Sequence, residues 1–220
     1  MPPSTPADLD RSSLRLSAEG ITRLFGETVA LWEVSLGAAS GELLEIVGPN
    51  GSGKSTLLRI LAGLLRPDRG RVQWLSADAR PRIGYVGHQT QLFGSLTVSE
   101  TFELAARTTG RNPEGATTVA DRLGLTALGQ ARVASLSAGM RRRLALTRVL
   151  VSGARVLIVD EPFASLDPGA SAVVAAALIE HRQRGGLVLI SGHLPAPSLD
   201  GASRTVALGS VGGRQARALA

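Results

Sequence analysis

Residues 48–56 read Gly-Pro-Asn-Gly-Ser-Gly-Lys-Ser-Thr, and this stretch decides the fold. Its spacing, Gly-x4-Gly-Lys-Ser, is typical of loops that bind nucleotide phosphates. Lys54 is the only lysine among the 24 Lys and Arg residues of the chain. A general preference for Arg would not select which lysine survives, whereas a compact ammonium on a flexible stem does what a planar guanidinium cannot. We therefore predict that Lys54 binds phosphate.

The segments on either side of this loop support the prediction. Glu42–Val47 is apolar enough for a buried strand, and Lys54–Leu65 has helical spacing that ends at Pro67 and Asp68. A strand, a glycine-rich loop and a helix place backbone N–H groups around a phosphate at a helix N-terminus. The alternative is a glycine-rich turn with a solvated lysine.

In the phosphate-binding interpretation, each side chain has its own partner. Lys54 bridges the β- and γ-phosphates, the Ser55 hydroxyl binds Mg²⁺, and Thr56 supports the α-phosphate. We therefore expect ATP and Mg²⁺ as ligands. The predicted ATP-binding residues of the loop are Gly48, Pro49, Asn50, Gly51, Ser52, Gly53, Lys54, Ser55 and Thr56.

The rest of the chain alternates strands with helices, which favours an α/β fold with a parallel sheet. An antiparallel hairpin is predicted first, turning at Gly26-Glu27. The predicted strands are Leu14–Phe25, Val29–Ala38, Arg71–Trp74, Ile83–Val86, Val156–Val159, Leu187–Ile190 and an edge strand Thr205–Leu208; the later predicted helices are Val98–Arg107, Thr117–Leu123, Met140–Val151 and Gly169–Arg184.

This order of elements predicts a P-loop NTPase (RecA-like) core with an N-terminal antiparallel β subdomain and an inserted α-helical subdomain. We expect residues 1–13 to be a disordered leader and residues 14–220 to form a single domain. Within it, residues 14–89 and 152–220 would form the nucleotide-binding core and residues 90–151 the helical subdomain.

Composition excludes several classes of protein. The chain has no cysteine, which rules out disulfides, thiolate catalysis and cysteine zinc sites. No apolar run approaches the ~20 residues of a membrane helix. The net charge of +6 hints at an anionic neighbour, but apart from Arg141–Arg143 the arginines are scattered and aromatics make up only 3%. A solvated surface is thus a better interpretation than a nucleic-acid site.

Two adjacent carboxylates, Asp160 and Glu161, follow the apolar run Val156–Val159. At the carboxyl end of a buried strand Asp160 would hold Mg²⁺, directly or through water, and Glu161 would be the general base for an attacking water. Two acids at a strand end can equally cap a helix. Their pairing with the Lys54 loop favours hydrolysis.

Leu136-Ser137-Ala138-Gly139-Met140 resembles the Leu-Ser-Gly-Gly-Gln signature of ATP-binding cassette (ABC) ATPases. Other elements of that family appear in the same order along the chain. The resemblance implies that Gln89 is the Q-loop glutamine, a catalytic residue and Mg²⁺ ligand, and that His193 is the switch histidine. It also implies that Ser165-Leu166-Asp167 is the D-loop, with Asp167 as an ATP-binding residue, and that Phe25 stacks on adenine. Alone, Phe25 could be hairpin core, Gln89 a strand-end polar residue and His193 a packing or capping residue.

The resemblance also implies a head-to-tail homodimer. Ser137 and Gly139 of one subunit would close over the nucleotide that Lys54 of the other subunit binds, and Glu161, His193, Gln89 and Lys54 would carry out hydrolysis. The signature departs from the family pattern at Ala138, which disfavours φ > 0, and at Met140, which lacks the usual amide. We expect binding to survive, and the effect of Ala138 and Met140 on communication with a partner stays open at this point.

A single cassette of this kind is similar to the nucleotide-binding subunit of a multi-subunit transporter, peripheral on the cytoplasmic face of the inner membrane. The segment between Gln89 and Leu136 would face integral permease subunits, which would handle the cargo without direct nucleic-acid contact. Three strings, 87–89, 136–139 and 184–190, resemble the ATP-binding subunit of the heme exporter of bacterial cytochrome c maturation.

Other functions stay open at this point. One is an ABC subunit of another small exporter, and another is a soluble ABC ATPase that acts on nucleic acid or ribosomes, although neither a second cassette nor a coiled-coil insertion is visible. A P-loop kinase or GTPase leaves the segment Leu136–Met140 unexplained. A hydrolysis-dead subunit is disfavoured because Lys54, Asp160, Glu161 and His193 are all present.

Overall fold

The computed structural model describes residues 14–76, 81–109, 114–199, 201, 203–211 and 215–219. The leader predicted for residues 1–13 lies outside these ranges. The strands are β1 Arg15–Phe25, β2 Thr28–Ala39, β3 Leu43–Val47, β4 Arg69–Leu75, β5 Ile83–Val86, β6 Val156–Val159, β7 Leu187–Gly192, β8 Arg204–Val211 and β9 Gln215–Leu219. The α-helices are α1 Lys54–Leu61, α2 Val98–Thr109, α3 Glu114–Arg122, α4 Ala138–Leu150 and α5 Pro168–Gln183, and short 3₁₀ turns cover Thr126–Leu128, Val133–Ser135 and Pro197–Leu199.

An antiparallel sheet comes first in the chain, as predicted. β1 and β2 form a hairpin that turns at Gly26, whose φ of 58° suits a residue without a Cβ. β4 pairs with the other edge of β1, which gives the order β2-β1-β4. Alternate residues of β1, such as Leu16 and Ala18, are buried against the rest of the protein.

The second sheet is parallel and has the order β5-β6-β7-β3-β8, with β9 added antiparallel to β8. The carboxyl ends of its parallel strands meet at one edge, where ligands bind in open α/β sheets. The phosphate loop follows β3, Asp160 follows β6 and His193 follows β7. The predicted α/β class with an antiparallel sheet beside a parallel core is confirmed, while the exact domain boundaries stay a prediction.

The parallel sheet is the middle of three layers because successive side chains of each strand point to opposite faces. On β6, Leu157 and Val159 pack in one hydrophobic cluster with α4 and α5. Val156 and Ile158 pack in the other, together with α1 and the antiparallel sheet. Strands buried on both faces read as continuous apolar runs, which explains why these strands were visible in the sequence.

One strand prediction was wrong in its place in the sheet. The segment predicted as an edge strand, Thr205–Leu208, belongs to β8, which lies between β3 and β9. β9 itself was not predicted. Its residues are Gln-Ala-Arg-Ala-Leu, in which the apolar side chains other than Leu219 are both alanines, so the apolar pattern that marks a strand is weak.

The first helix is shorter than predicted. α1 ends at Leu61, not at Leu65, because Gly63 takes a left-handed φ of 74° just beyond the C-cap Ala62. A glycine at this position stops a helix by bonding back to its last carbonyls, and Gly63 donates its N–H to Ile60 O at 3.0 Å. Pro67 lies beyond the actual end.

None of the helices in the described part of the chain is long and apolar enough to cross a bilayer.

Two glycines of the antiparallel sheet provide a test of its packing. Gly70 and Gly20 both have left-handed φ values, 86° and 59°. A Cβ on Gly70 would lie 2.4 Å from the carbonyl oxygens of Glu19 and Gly20, whereas a Cβ on Gly20 would meet nothing within 4 Å. We expect Gly20→Ala to lower the free energy of unfolding by about 1 kcal/mol and Gly70→Ala by about 3 kcal/mol. Equal losses in urea denaturation would contradict this packing.

Candidate functional site

The backbone of the phosphate loop approaches its neighbours too closely for side chains at two glycines. At Gly48, with φ 154°, a Cβ would lie 2.3 Å from Leu208 O. At Gly53, with φ 89°, it would lie 2.4 Å from Ala30 O. The glycines of the motif therefore hold the loop between β8 and β2, at the start of α1.

Lys54 is folded back over this loop. Its Nζ donates to the carbonyl oxygens of Gly48 at 2.7 Å and Pro49 at 2.9 Å, and only 5% of the residue is exposed. An ammonium has three N–H donors, so one remains for a further acceptor. The lysine is thus held at the mouth of the loop by contacts that a planar guanidinium fork would not reproduce.

The loop fits a nucleotide phosphate on two further observations. Among the described residues, no side chain caps the N-terminus of α1, and its first turn carries no acidic residue. The buried Ser52 Oγ also has no hydrogen-bond partner in this part of the chain. A helix N-terminus with free donors favours a negative charge, and the uncapped end leaves room for one.

Asp160 lies at the end of β6, buried to 2% exposure. Its carboxylate accepts a hydrogen bond from the Ser191 hydroxyl of β7, and the same Oγ accepts the Glu161 N–H at 2.9 Å. One serine therefore orients both acidic residues. A carboxylate held at this edge, with the exposed Ser55 hydroxyl at the start of α1, is a donor set that suits Mg²⁺.

Glu161 adopts an unusual backbone conformation for a residue with a side chain. Its φ is 50°, in the left-handed region, and such strain persists only where the surroundings hold it. The side chain points toward the switch segment, and its Oε1 lies 3.6 Å from His193 Nε2. Two of the residues predicted to carry out hydrolysis are therefore neighbours, at the ends of adjacent strands.

A cleft of about 410 Å³ joins four of the predicted elements within one subunit. Its lining includes Gln89 from the loop after β5, Glu161 after β6, Ala138 at the start of α4 and Ser165 between β6 and α5. The predicted Q-loop glutamine thus opens onto the same space as the predicted base.

The predicted signature segment forms the start of α4. Ser137 is its N-cap, and its Oγ accepts the Met140 N–H at 3.2 Å, which leaves the hydroxyl proton free to donate. Ala138 is the first helical residue and is not among the residues with positive φ, so the backbone strain expected there does not arise. A Cβ on Gly139 would lie 3.1 Å from Ser165 O, so a side chain at this position would require the D-loop backbone to shift by a few tenths of an ångström.

Asp167 caps α5 instead of projecting into the nucleotide loop of its own subunit. Its Oδ1 accepts the Ala170 N–H at 2.8 Å, and its other oxygen pairs with Arg143 of α4. The hydrogen bond from Ala170 lowers the pKa of Asp167, and Arg143 adds to this. The D-loop is therefore tied to the signature helix.

Phe25 lies at the end of β1, with 47% of the residue exposed. The Arg23 guanidinium sits over its ring, 4.8 Å from the centroid, and is itself paired with Asp68 at 2.8 Å. Contact with Arg23 holds the ring in place. The hairpin that carries Phe25 approaches the phosphate loop at Ala30, and stacking of the ring on adenine stays a prediction.

Two residues that contact the acidic pair, Ser191 and Arg142, were not predicted individually from the sequence. Ser191 was visible only as part of the segment before His193, and nothing in its spacing reveals that it bonds to both acids. Arg142 was visible in the triplet Arg141–Arg143, which was interpreted as solvated surface. Burial of Arg142 to 6% exposure corrects that interpretation for this residue.

Comparison with known proteins agrees with this geometry. Residues 31–164, more than half of the chain, match the family model described as ABC transporter. The chain belongs to the ABC transporter family. The predicted membership of this family is therefore confirmed, and the roles of the individual site residues stay predictions.

Individual members of the family are similar over most of their length. A cytochrome c biogenesis ATP-binding export protein CcmA of Nitrosococcus oceani is 40% identical over 194 residues, which cover 84% of this chain and 88% of the relative. The protein of the same name from Rhizobium meliloti is 37% identical and covers 83% and 92%. A solved dimeric structure of a bacterial ABC transporter cassette superposes with a TM-score of 0.78 at 25% identity, covering 88% of this chain and 94% of that one.

Substitution of the single lysine tests the phosphate loop. We expect Lys54→Ala to weaken ATP binding by about 2–5 kcal/mol, roughly 30-fold to several thousand-fold in Kd, because it removes a positioned charge. Lys54→Arg should fail similarly although it keeps the charge. Arg59→Ala, which removes an exposed charge from the last turn of the same helix, is the control. Normal ATP affinity of Lys54→Arg in calorimetry would contradict the assigned role.

Substitution of Ser191 tests the acidic edge. Ser191→Ala should lower the free energy of unfolding by about 1–2 kcal/mol, because the buried Asp160 carboxylate and the partly buried Glu161 N–H lose their partner. Turnover should fall by about 10- to 100-fold, as for other residues that orient metal ligands. The control is Ser152→Ala, because Ser152 Oγ also joins two backbone groups, Val149 O and Ala154 N, at the end of α4. A turnover of Ser191→Ala equal to that of the control would refute this role.

Proposed function

We propose that this chain is the Mg²⁺-dependent ATPase subunit of an ABC exporter. We also propose that this exporter transports heme for cytochrome c biogenesis. The observation that carries the enzymatic part is the meeting of the Lys54 loop, Asp160, Glu161 and His193 at one sheet edge. The curated relatives named as cytochrome c biogenesis export proteins, which match along most of this chain, support the cargo.

Each residue of the site has a role that follows from its position. The N–H groups of residues 51–55 and the third donor of Lys54 bind the β- and γ-phosphates. Ser55 and Asp160 would hold Mg²⁺, which would neutralise charge that develops on these phosphates. Glu161 accepts a proton from the attacking water. His193, 3.6 Å from Glu161, hydrogen-bonds the terminal phosphate or the base and keeps the two aligned.

A complete site requires a second subunit in this proposal. Ser137 and Gly139 open onto the exterior of their own subunit, with Ser137 exposed and its hydroxyl proton free. In a head-to-tail homodimer these groups would cover the nucleotide bound by the partner's loop, and Gln89 would complete the Mg²⁺ site. ATP then favours closure because it contacts both subunits only in the closed state. Hydrolysis removes that preference.

Membrane partners are part of the proposal because, in exporters of this kind, the subunit that hydrolyses ATP and the subunits that span the membrane are separate chains. Permease subunits would span the bilayer and contact the region around α2, which presents the exposed Phe93 and Leu104 nearby. The chain would then lie on the cytoplasmic face of the membrane. Heme recognition is assigned to the permease.

A soluble ABC ATPase that acts on nucleic acid is the second candidate. The basic triplet Arg141–Arg143 would be its most obvious contact. Arg142 is buried and Arg143 is paired with Asp167, so little of the triplet's charge is available to a phosphate backbone. The transporter is therefore favoured.

Removal of the predicted base separates binding from hydrolysis. We expect Glu161→Gln to keep ATP affinity, because the Lys54 loop is untouched, and to lose about 10²- to 10⁴-fold in kcat. The variant should accumulate as ATP-bound dimers in sedimentation runs. Glu180→Gln, an exposed site on α5, is the matched control. Turnover of Glu161→Gln at the wild-type rate would refute the assignment.

The cargo and partners are tested by purification from detergent-solubilised membranes. The tagged chain should recover small integral membrane proteins, and these should carry heme by its absorbance. The Glu161→Gln variant should retain the complex longest in ATP. Recovery of ribosomal proteins or nucleic acid in place of membrane proteins would contradict the exporter proposal, and permeases without heme would contradict the cargo alone.

A further inference from the structure

The basic triplet at the start of α4 is turned into the protein. Each of its three arginines bonds to a different segment. Arg141 donates to Leu136 O at the end of the preceding turn, Arg143 pairs with Asp167 of the D-loop, and Arg142 reaches the ends of two strands. Three consecutive arginines therefore anchor the signature helix to its surroundings.

Arg142 makes the most extensive of these contacts. Its Nη1 donates to Gly87 O at 2.7 Å, and its Nη2 donates to Glu161 O at 2.9 Å and also to Asp160 O. Gly87 lies two residues before Gln89. One guanidinium thus joins the signature helix to the Q-loop and to the main-chain carbonyls of Asp160 and Glu161. A fork of several fixed donors is needed to serve carbonyls from two separate strand ends.

The contact with Glu161 bears on its strained backbone. Glu161 has φ 50°, and both of its main-chain polar groups are bound: the N–H to Ser191 Oγ at 2.9 Å, and the C=O to Arg142 and to the Ala164 N–H at 3.1 Å. Ser191 belongs to the parallel sheet, whereas Arg142 belongs to the helix that carries the signature. A non-glycine residue stays in this region of φ only while such contacts hold it.

We propose that Arg142 is a positioning residue: it holds Glu161 in the left-handed conformation that aims its carboxylate at the site, and it makes that conformation depend on the placement of the signature helix. The inference rests on the proposed role of Glu161 as the base. When a partner subunit closes over Ser137, the buried Arg142 side chain would then transmit a change in the signature helix to Glu161 of the same subunit.

Two substitutions of Arg142 test this positioning role. Arg142→Gln should keep the Kd for ATP within about threefold, because the Lys54 loop is untouched, and should lower kcat at saturating ATP at least tenfold. Arg142→Lys should recover part of kcat, because one ammonium reaches fewer of the three carbonyls. Arg184→Gln, at the exposed end of α5, should behave as wild type. If Arg142→Gln melts below the assay temperature, the comparison is made with Arg142→Lys alone.

A double-mutant cycle distinguishes positioning of Glu161 from support of the fold. In single-turnover measurements, Arg142→Gln added to Glu161→Gln should change the remaining rate by less than about twofold, because both substitutions act through one carboxylate. A purely structural residue would lower the rate by the same factor in both backgrounds. A multiplicative loss, or a wild-type kcat of Arg142→Gln, would overturn this inference. Wild-type turnover of Glu161→Gln would instead refute the proposed base.

Discussion

The close approach of the phosphate loop to both sheets is the constraint on which the rest of the structure depends. Gly48 lies against the backbone of β8 and Gly53 against that of β2, at distances that leave no room for a Cβ. The parallel core and the antiparallel sheet are therefore held together at the loop itself. Because the loop also ends β3, its position fixes where Lys54 and the start of α1 face the remaining strand ends.

The hydrolytic edge is built from neighbours of that loop in the sheet. β7 lies directly beside β3 and β6 lies next to β7, so Ser191, Asp160 and Glu161 come together without long side chains. Ser191 binds the two acids from the sheet side, and Arg142 binds their carbonyls from the helical side. The site therefore depends equally on the parallel sheet and on the helix that carries the signature. A movement of α4 relative to the parallel sheet would therefore displace Glu161, which is bonded to both.

The sequence predicted most of this arrangement where local patterns suffice. Apolar runs revealed β3, β6 and β7, and the motif at residues 48–56 located the loop, because both signals depend on neighbouring residues alone. β9 was missed because small residues carry little apolar signal, and β8 was placed at the edge because strand order is not local. Arg142 and Ser191 were not recognised as individual contributors, since their partners lie 18 to 55 and 30 to 31 residues away in the chain.

We propose that two copies of the chain share each ATP, and cross-linking between different copies tests this proposal most directly. The chain has no cysteine, so Asn50→Cys and Ala138→Cys can be made separately in the Glu161→Gln background and then mixed. Asn50 and Ala138 are both exposed. With Mg²⁺ and ATP, a short bis-maleimide should give a covalent dimer that contains one chain of each kind, and it should give none with ADP. A mixture that stays monomeric with ATP, although both cysteines react with a simple maleimide, would contradict the account.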